Sequence, residues 1–295
     1  MSKLIKYKFS DLYEMSSGIS SSKQQAGHGS PFISFSTVFN NYFLPEELPD
    51  LMDTSLKEQE IFSVKKDDVF ITRTSETVDA LAMSCVAVKD YPKATFSGFV
   101  KRLRPKTTGI VYSKYIAFFL RSKYFRKVLD CNTIMTLRAS FNEDMFSFLY
   151  LYLPDYEEQV RIGDLLYKME MKIRTNNKIN DNLEQQIQLI FDYLFPDVCA
   201  GNKHMGDFII PKRGKSLLSK NAVHGNVPVI AGGLEPSIYH NVANTIAPVV
   251  TISSSGANAG FVNIWGVPVW SSDSSYIDSE MSRYVYFWYA YLKRH

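Results

Sequence analysis

The chain has 295 residues, of which 45% are hydrophobic and 21% charged, with a net charge of +3. Because single cores rarely grow beyond roughly 250 residues, this length predicts two globular units. No apolar run approaches the ~20 residues that span a bilayer, and the N-terminus lacks a signal-peptide core, so we expect a cytoplasmic protein without a membrane span. Three cysteines, Cys85, Cys131 and Cys199, lie too far apart for a metal pair or a disulfide framework.

Basic residues are separated from acidic ones along the chain. No Asp or Glu occurs from Tyr91 to Leu129, a segment rich in Lys and Arg. A second acid-free window runs from Phe208 to Leu234. Such segregation creates a local positive field, for which phosphate backbones are the commonest partner. The alternative is a solvated basic face without a partner, and charge alone leaves both interpretations open.

Residues 1–155 are predicted to form the first domain. Short apolar runs begin at Pro31, Asp68 and Cys85 and are bounded by Gly, Pro, Ser and Asp, which is typical of β-strands.

Residues 156–196 are predicted to form one long helix with a coiled-coil seam. Apolar residues recur every three or four positions, and between residue 156 and Pro196 the one glycine is Gly163. The seam positions are Ile162, Leu165, Met169, Ile173, Asn176, Ile179, Leu183, Ile187, Ile190 and Leu194. A helix of this length, on the order of 55 Å, needs a partner for its apolar stripe. Asn176 either sets the register of a coiled coil or contacts a partner subunit, and both interpretations remain open.

Residues 202–295 are predicted to be a diverged copy of the first domain. Short matches occur in the same order in both halves: Gly18 with Gly214, His28-Gly with His224-Gly, Val69-Phe-Ile-Thr with Val249-Val-Thr-Ile, and Ser113-Lys-Tyr with Ser282-Arg-Tyr. The second copy reaches His295 at the point where the first has reached about Ser122, so we expect an incomplete second domain. The predicted class is α+β, with two duplicated mixed α/β domains joined by one long coiled-coil-type helix.

This organisation resembles the specificity subunit of type I restriction–modification systems. The resemblance rests on Leu151-Tyr-Leu-Pro-Asp-Tyr-Glu-Glu-Gln-Val-Arg-Ile at the helix junction, on Asn182-Leu-Glu-Gln-Gln-Ile within the helix, and on Ser253-Ser-Ser-Gly-Ala-Asn-Ala-Gly in the second copy. It implies that each target-recognition domain reads one half of a bipartite site in double-stranded DNA. It also implies that the helix docks methyltransferase subunits, which bind S-adenosylmethionine, and that restriction subunits complete the complex. The chain itself would need no cofactor. Members normally carry two complete domains and two antiparallel helices, and this chain departs from that plan.

Candidate DNA contacts are Arg, Lys and small polar residues in the predicted polar turns, because such groups bond phosphates and base edges. In the first domain they are Lys23, Gln24, Arg73, Thr74, Ser75, Ser97, Lys101, Arg102 and Arg138. In the second domain they are Lys212, Arg213, Lys215, Ser254, Ser255, Ser271 and Asp273.

Catalysis is not expected. The chain has no phosphate loop, no zinc-protease motif and no Pro-Pro pair of the adenine methyltransferase type. Asp155, Glu170 and Lys172 match the loose pattern of a metal-dependent nuclease, but Glu170 and Lys172 lie two apart on a helix and so point in different directions. Two further alternatives stay open: a homodimer that pairs through the helix and reads a palindromic half-site, and an assembly protein that no longer reads a bipartite site.

Overall fold

The computed structural model describes residues 4–20, 22–75, 80–132, 139–197 and 202–294. These form two compact units, Met1–Arg174 and Thr175–His295. The class is mixed α/β with one long helix, as the sequence predicts.

The first unit contains eleven described strands and the start of the long helix. The strands are β1 (Ile5–Lys8), β2 (Tyr13–Ser17), β3 (Ala26–Ile33), β4 (Asp50–Met52), β5 (Val69–Thr72), β6 (Thr74–Ser75), β7 (Ser84–Val86), β8 (Thr95–Phe96), β9 (Val100–Pro105), β10 (Ala139–Ser140) and β11 (Tyr150–Leu153). The helices are α1 (Phe9–Leu12), α2 (Phe35–Asn40), α3 (Leu56–Ile61), α4 (Ser113–Phe119), α5 (Lys123–Asn132), α6 (Glu143–Phe148) and α7 (Tyr156–Leu194).

Two sheets organise the first unit. The larger has the antiparallel order β2-β9-β5-β7, and the smaller has the order β4-β3-β8, in which β3 is antiparallel to β4 and parallel to β8. Strand β5 is buried along its whole length, since its two faces pack on two different hydrophobic clusters through Val69 and Phe70. The predicted strands at Pro31, Asp68 and Cys85 are therefore confirmed as β3, β5 and β7.

The second unit repeats this connectivity. Its elements are β12 (Lys212–Arg213), β13 (Val227–Ile230), β14 (Ile238–His240), β15 (Val249–Ser253), β16 (Val262–Trp265), β17 (Trp270–Ser271), β18 (Ser274–Asp278) and α8 (Val285–Arg294). The sheet orders are β12-β18-β15-β16 and β14-β13-β17, with the same parallel and antiparallel pairings as in the first unit. Strands β12 to β18 thus correspond in chain order to β2, β3, β4, β5, β7, β8 and β9. The duplication predicted from four short sequence matches is present in the topology.

The Glu-Glu-Gln motif fastens the start of α7 to the first unit. The Asp155 side chain accepts a hydrogen bond from the Glu158 amide at 2.9 Å and so caps the helix. Gln159 is buried: its Oε1 accepts from the Tyr112 amide at 3.0 Å, and its Nε2 donates to the carbonyl of Ile110 at 3.0 Å. At Gly163, an added Cβ would lie 2.8 Å from the Tyr115 backbone nitrogen. Glycine at this position therefore allows the helix to approach α4 closely.

The last turns of α7 pack on α8 in the second unit. The phenol of Tyr289 and the ammonium of Lys293 both bond the carboxylate of Glu184, and these bonds hold the pKa of Glu184 below its usual value. Phe191 is buried against Phe287, with ring centroids 5.4 Å apart. This end of the helix is part of the second unit's core.

The predicted seam of α7 is largely uncovered. The seam residues with more than half of their surface exposed are Leu165, Met169, Ile173, Ile179, Leu183, Ile190 and Leu194. Asn176 is exposed, and Ile162 and Ile187 are partly buried, the latter against the second unit's core. The helix therefore carries an apolar stripe of the kind that coiled coils bury.

The arginines in the acid-free window of the first unit are internal supports, whereas the lysines Lys93, Lys106, Lys123 and Lys127 are exposed. Arg104 makes a bidentate pair with the fully buried Asp68, at 2.7 and 2.6 Å. Arg121 donates to the carbonyls of Ser84, Val38, Phe39 and Asn41 at 2.7–2.9 Å. Arg126 likewise bonds the carbonyls of Leu81, Ala82 and Leu120. The guanidinium can neutralise the carbonyl dipoles at the ends of helices and strands, so these cations need no acidic neighbours in the sequence. The interpretation of this window as a positive surface was wrong for these residues.

Arg121→Lys is expected to lower the free energy of unfolding by about 2–4 kcal/mol, because a lysine ammonium cannot reach all four carbonyls and leaves buried acceptors unsatisfied. Urea denaturation followed by circular dichroism measures the change. Lys123→Ala, an exposed cation two residues away, is the matched control and should change stability by less than about 0.5 kcal/mol. Equal effects of both substitutions would contradict the support role of Arg121.

Candidate nucleic-acid interface

One edge of the larger sheet in the first unit brings together three segments, 17–20, 73–75 and 97–101, here called the first edge. It lies where β2 and β5 end and β9 begins. The Gly98 amide donates to the Ile19 carbonyl at 2.7 Å, and the Arg73 amide donates to the Phe99 carbonyl at 2.8 Å. These backbone bonds fix the three turns relative to one another without using their side chains.

The second unit has the same arrangement in segments 213–215, 254–255 and 271–275, here called the second edge. The Lys215 amide donates to the Ser271 carbonyl at 2.9 Å, and the Ser254 amide donates to the Asp273 carbonyl at 3.4 Å. Arg73 and Ser254 each follow the central strand directly, and Phe99 and Asp273 each directly precede the strand that pairs with it. The two edges are therefore equivalent in backbone but different in side chains.

One glycine at each edge lies in close contact with the backbone of a neighbouring segment. A Cβ at Gly18 would overlap the carbonyl oxygens of Phe96 and Ser97, and a Cβ at Gly214 would overlap the carbonyl of Ser271. Both glycines follow the last residue of the first strand of their sheet, β2 or β12. Only a residue without a side chain permits this close backbone approach, which explains why this short sequence match survives in both copies.

At the first edge, Arg73 is exposed, and its Nη1 makes one long bond of 3.4 Å to the Gly98 carbonyl. Thr74 and Ser75 are half-buried and pair with β10. Ser97 is buried, and its Oγ accepts from the Phe99 amide at 3.2 Å, so it shapes the turn. Lys101 is buried too, with its Nζ bonded to Ser17 at 2.9 Å and to Glu143 at 3.3 Å.

Three further candidates of the first domain lie elsewhere. Lys23 and Gln24 are exposed in a single 3₁₀ turn, and no described contact joins them to Arg73. The guanidinium of Arg102 donates to the Ser63 carbonyl at 2.6 Å, because alternate residues of β9 face opposite sides of the sheet. Arg138 lies outside the described residues.

The second edge carries more accessible cations. Lys212, Arg213 and Lys215 are all exposed, and within the described part of the chain none of their charged groups has a hydrogen-bond acceptor. Lys220, in the same acid-free window, is exposed as well. All four cations of this window are exposed, so the window is a basic surface.

The remaining candidate DNA-contact residues of the second edge differ in solvent exposure. Ser254, Ser255 and Asp273 are exposed. Ser271 is fully buried, and its Oγ lies 2.8 Å from the Oγ of Ser274. Ser271 occupies the position of Ser97 and also supports its turn, but through a bond from its hydroxyl to the Ser274 carbonyl at 3.0 Å. Four candidate residues are held by internal bonds and therefore support the fold: Ser97, Lys101, Arg102 and Ser271.

Phe99 is a residue of the first edge that the sequence reasoning missed. Its side chain is 65% exposed at the tip of the turn before β9. In the sequence, a phenylalanine flanked by apolar residues is indistinguishable from a core residue, and only the position of the turn shows otherwise. Its counterpart Asp273 was predicted.

The nuclease pattern does not assemble in the first unit. Asp155 caps α7, whereas Glu170 forms an ion pair with Arg174 at 3.0 Å, fifteen residues or about 22 Å further along the helix. Across the described ranges, no cluster of His, Cys, Asp and Glu is arranged to hold a metal ion. Among the described helices, none has the length and apolar composition that crossing a bilayer requires.

The two edges offer what double-stranded DNA requires. Exposed Arg and Lys groups can bond phosphates, and Ser, Thr, Asp and Phe side chains on backbone-fixed turns can contact base edges. Among the described residues of the two edges, no nucleophile is hydrogen-bonded to a catalytic base.

Comparisons with known proteins agree with this interpretation. Residues 2–185 match the model of the type I restriction modification DNA specificity domain family. The specificity subunit of the type I restriction enzyme HindI from Haemophilus influenzae is 27% identical over 224 residues, which cover 72% of this chain and 47% of that protein. The matched region thus spans about half of the relative.

Solved structures resemble the fold as well. The crystal structure of the type I restriction–modification S subunit from M. genitalium is similar with a TM-score of 0.61 and 15% identity, over 99% of this chain and 77% of that one. The HsdS subunit from Thermoanaerobacter tengcongensis has 13% identity and a TM-score of 0.42, over 99% of this chain and 80% of that one.

The chain belongs to the family of type I restriction–modification DNA specificity domains. Specificity subunits of this family are DNA-recognition proteins and carry out no catalysis.

Arg73→Ala is expected to weaken binding to a mixed-sequence DNA duplex by roughly tenfold, because it removes an exposed cation from the first edge. Fluorescence anisotropy between 50 and 200 mM salt measures the affinity. Lys66→Ala is the matched control, since Lys66 is an exposed cation beyond the opposite end of β5. If both substitutions weaken binding equally, the first edge is not the DNA-binding surface.

Proposed function

We propose that the chain is the non-catalytic DNA-recognition component of a type I restriction–modification complex. The first edge reads one half of a bipartite target, and the second edge reads the other. The observation that carries this proposal is the pair of equivalent edges, which share backbone bonds and closely packed glycines but differ at Arg73 and Ser254 and at Phe99 and Asp273. A shared scaffold with different exposed side chains is what reading two different half-sites requires.

Methylation and cleavage of the DNA would be carried out by partner subunits. Methyltransferase subunits, which bind S-adenosylmethionine, would modify the target, and restriction subunits would cleave unmodified DNA. The chain would direct both to the site and bind no cofactor itself. Membership of the specificity family supports these partners, and the long exposed helix α7 supplies a surface on which they can dock. A role on genomic DNA fits the cytoplasmic location predicted from the sequence.

Co-expression with the cognate methyltransferase subunit tests this function. Sequencing that detects methylated bases should reveal a motif of two short half-sites separated by unspecified positions. The methyltransferase subunit expressed without the chain is the control and should leave the genome without that motif. Absence of sequence-specific methylation in the presence of both proteins would contradict the proposal.

The exposed seam favours a second candidate function. Two copies of the chain could bury their α7 stripes against each other, each contributing its first edge to a palindromic target. The seven seam residues with more than half of their surface exposed support this candidate, since water-exposed heptad positions are normally covered by a partner helix. A palindromic methylation motif in the co-expression experiment would favour it.

Leu183→Glu tests the pairing directly, because a carboxylate at a seam position cannot be buried in a helix–helix interface. If the seam joins two copies, light scattering should show a dimer for the unmodified chain and a monomer for the variant. Leu189→Glu is the matched control: Leu189 is exposed on the same helix but lies off the seam. A monomeric unmodified chain, or a dimer that tolerates Leu183→Glu, would exclude this candidate.

A further inference from the structure

The turn that precedes β9 in the first unit and β18 in the second holds one exposed residue at an equivalent position. It is Phe99 in the first edge and Asp273 in the second. The carbonyl of each accepts a bond from the residue after the central strand, from the Arg73 amide at 2.8 Å and from the Ser254 amide at 3.4 Å. Two residues earlier, buried Ser97 and Ser271 support the same turn. The backbone is thus fixed while the side chain is free.

Packing within the first unit does not explain why a phenylalanine stands at position 99. Its ring is 65% exposed, it belongs to neither hydrophobic cluster of the first unit, and it stacks on none of the described aromatic rings. A large apolar group on a turn that lies beside the exposed Arg73 is placed to contact an apolar feature of a ligand that Arg73 also reaches. In duplex DNA the apolar feature of the major groove is the C5-methyl group of thymine.

Asp273 is an exposed carboxylate on a basic edge. Within the described part of the chain it forms no ion pair, although Arg213 and Lys215 lie on the neighbouring segment. A carboxylate is an acceptor only and is repelled by phosphates, so at a DNA-binding edge it needs a donor on a base. In the major groove cytosine offers its N4 amine and no acceptor on the same base, whereas adenine carries the N7 acceptor beside its N6 amine, and N7 repels a carboxylate.

We propose that this turn determines base specificity in each half-site, with Phe99 selecting thymine through its methyl group and Asp273 selecting cytosine through its N4 amine. The inference rests on the proposed function and assigns a base to one residue of each edge. The difference between the two domains at this position then contributes, beside that between Arg73 and Ser254, to the difference between their half-sites.

Methylation mapping after co-expression with the cognate methyltransferase subunit tests the assignment. The motif of the unmodified chain should contain thymine at one position of one half-site and cytosine at one position of the other. Phe99→Ala should reduce discrimination at the thymine position by about tenfold and leave the other half-site unchanged. Asp273→Ala should do the same at the cytosine position alone.

Phe99→Leu separates a methyl contact from base stacking. Leucine keeps an apolar surface for the thymine methyl but has no aromatic face, so the thymine preference should be retained. Loss of the preference in Phe99→Leu as well as in Phe99→Ala would overturn the methyl contact. Because Phe99 and Asp273 are exposed, each variant should keep its melting temperature within about 2 °C, and this is measured in parallel.

The remaining outcomes are also decisive. A motif unchanged in Phe99→Ala and Asp273→Ala, with methylation at the unmodified level, would overturn the inference and leave the proposed function intact. A motif without a second half-site would overturn the assignment of Asp273. Absence of any sequence-specific methylation by the unmodified chain would overturn the proposed function, and the inference with it.

Discussion

The close approach of a glycine to a strand end is the contact on which both candidate interfaces depend. Gly18 and Gly214 lie so near the carbonyl groups of the neighbouring strand that no side chain fits between them. Because this junction involves backbone atoms and, at Gly214, the hydroxyl of the buried Ser271, the exposed residues around it can change without loss of the fold. A scaffold held by backbone bonds and buried serines can therefore present Arg73 and Phe99 in one domain and Ser254 and Asp273 in the other. The separation of supporting residues from exposed ones is the physical basis for the proposal that the two halves recognise different sequences.

The arginines of this chain have two roles, internal support and surface charge, which the sequence alone does not distinguish. Arg104, Arg121 and Arg126 bond a buried carboxylate or backbone carbonyls and hold helices and strands of the first domain together. Arg73 and Arg213 lie on the two edges, exposed to solvent. The arginines of the first acid-free window therefore hold the domain together. The basic residues of the second acid-free window lie on the surface of the second unit.

The long helix α7 combines tight attachment with an uncovered stripe. Gln159 and Gly163 fix its start to the first domain, and Glu184 and Phe191 fix its end to α8 of the second. Most heptad positions stay exposed beside these attachments, although Ile187 packs against the core of the second unit. A helix used in this way can bind its own domains and still offer an apolar surface to another helix. That surface is the physical basis for both the subunit-docking and the homodimer proposals.

The sequence by itself determined the long helix, the positions of several strands, the duplication and the specificity family, because periodicity and the order of short motifs depend on local chemistry. It predicted Arg73, Ser254 and Asp273, which lie in polar turns after or before strands. Only the tertiary structure decided which basic residues are internal, because burial and carbonyl partners depend on contacts between distant segments. It also decided that Ser97 and Ser271 support the turns, and that Phe99 is exposed and not part of the core. Solvent exposure at a turn depends on how strands pair, and local sequence does not encode that pairing.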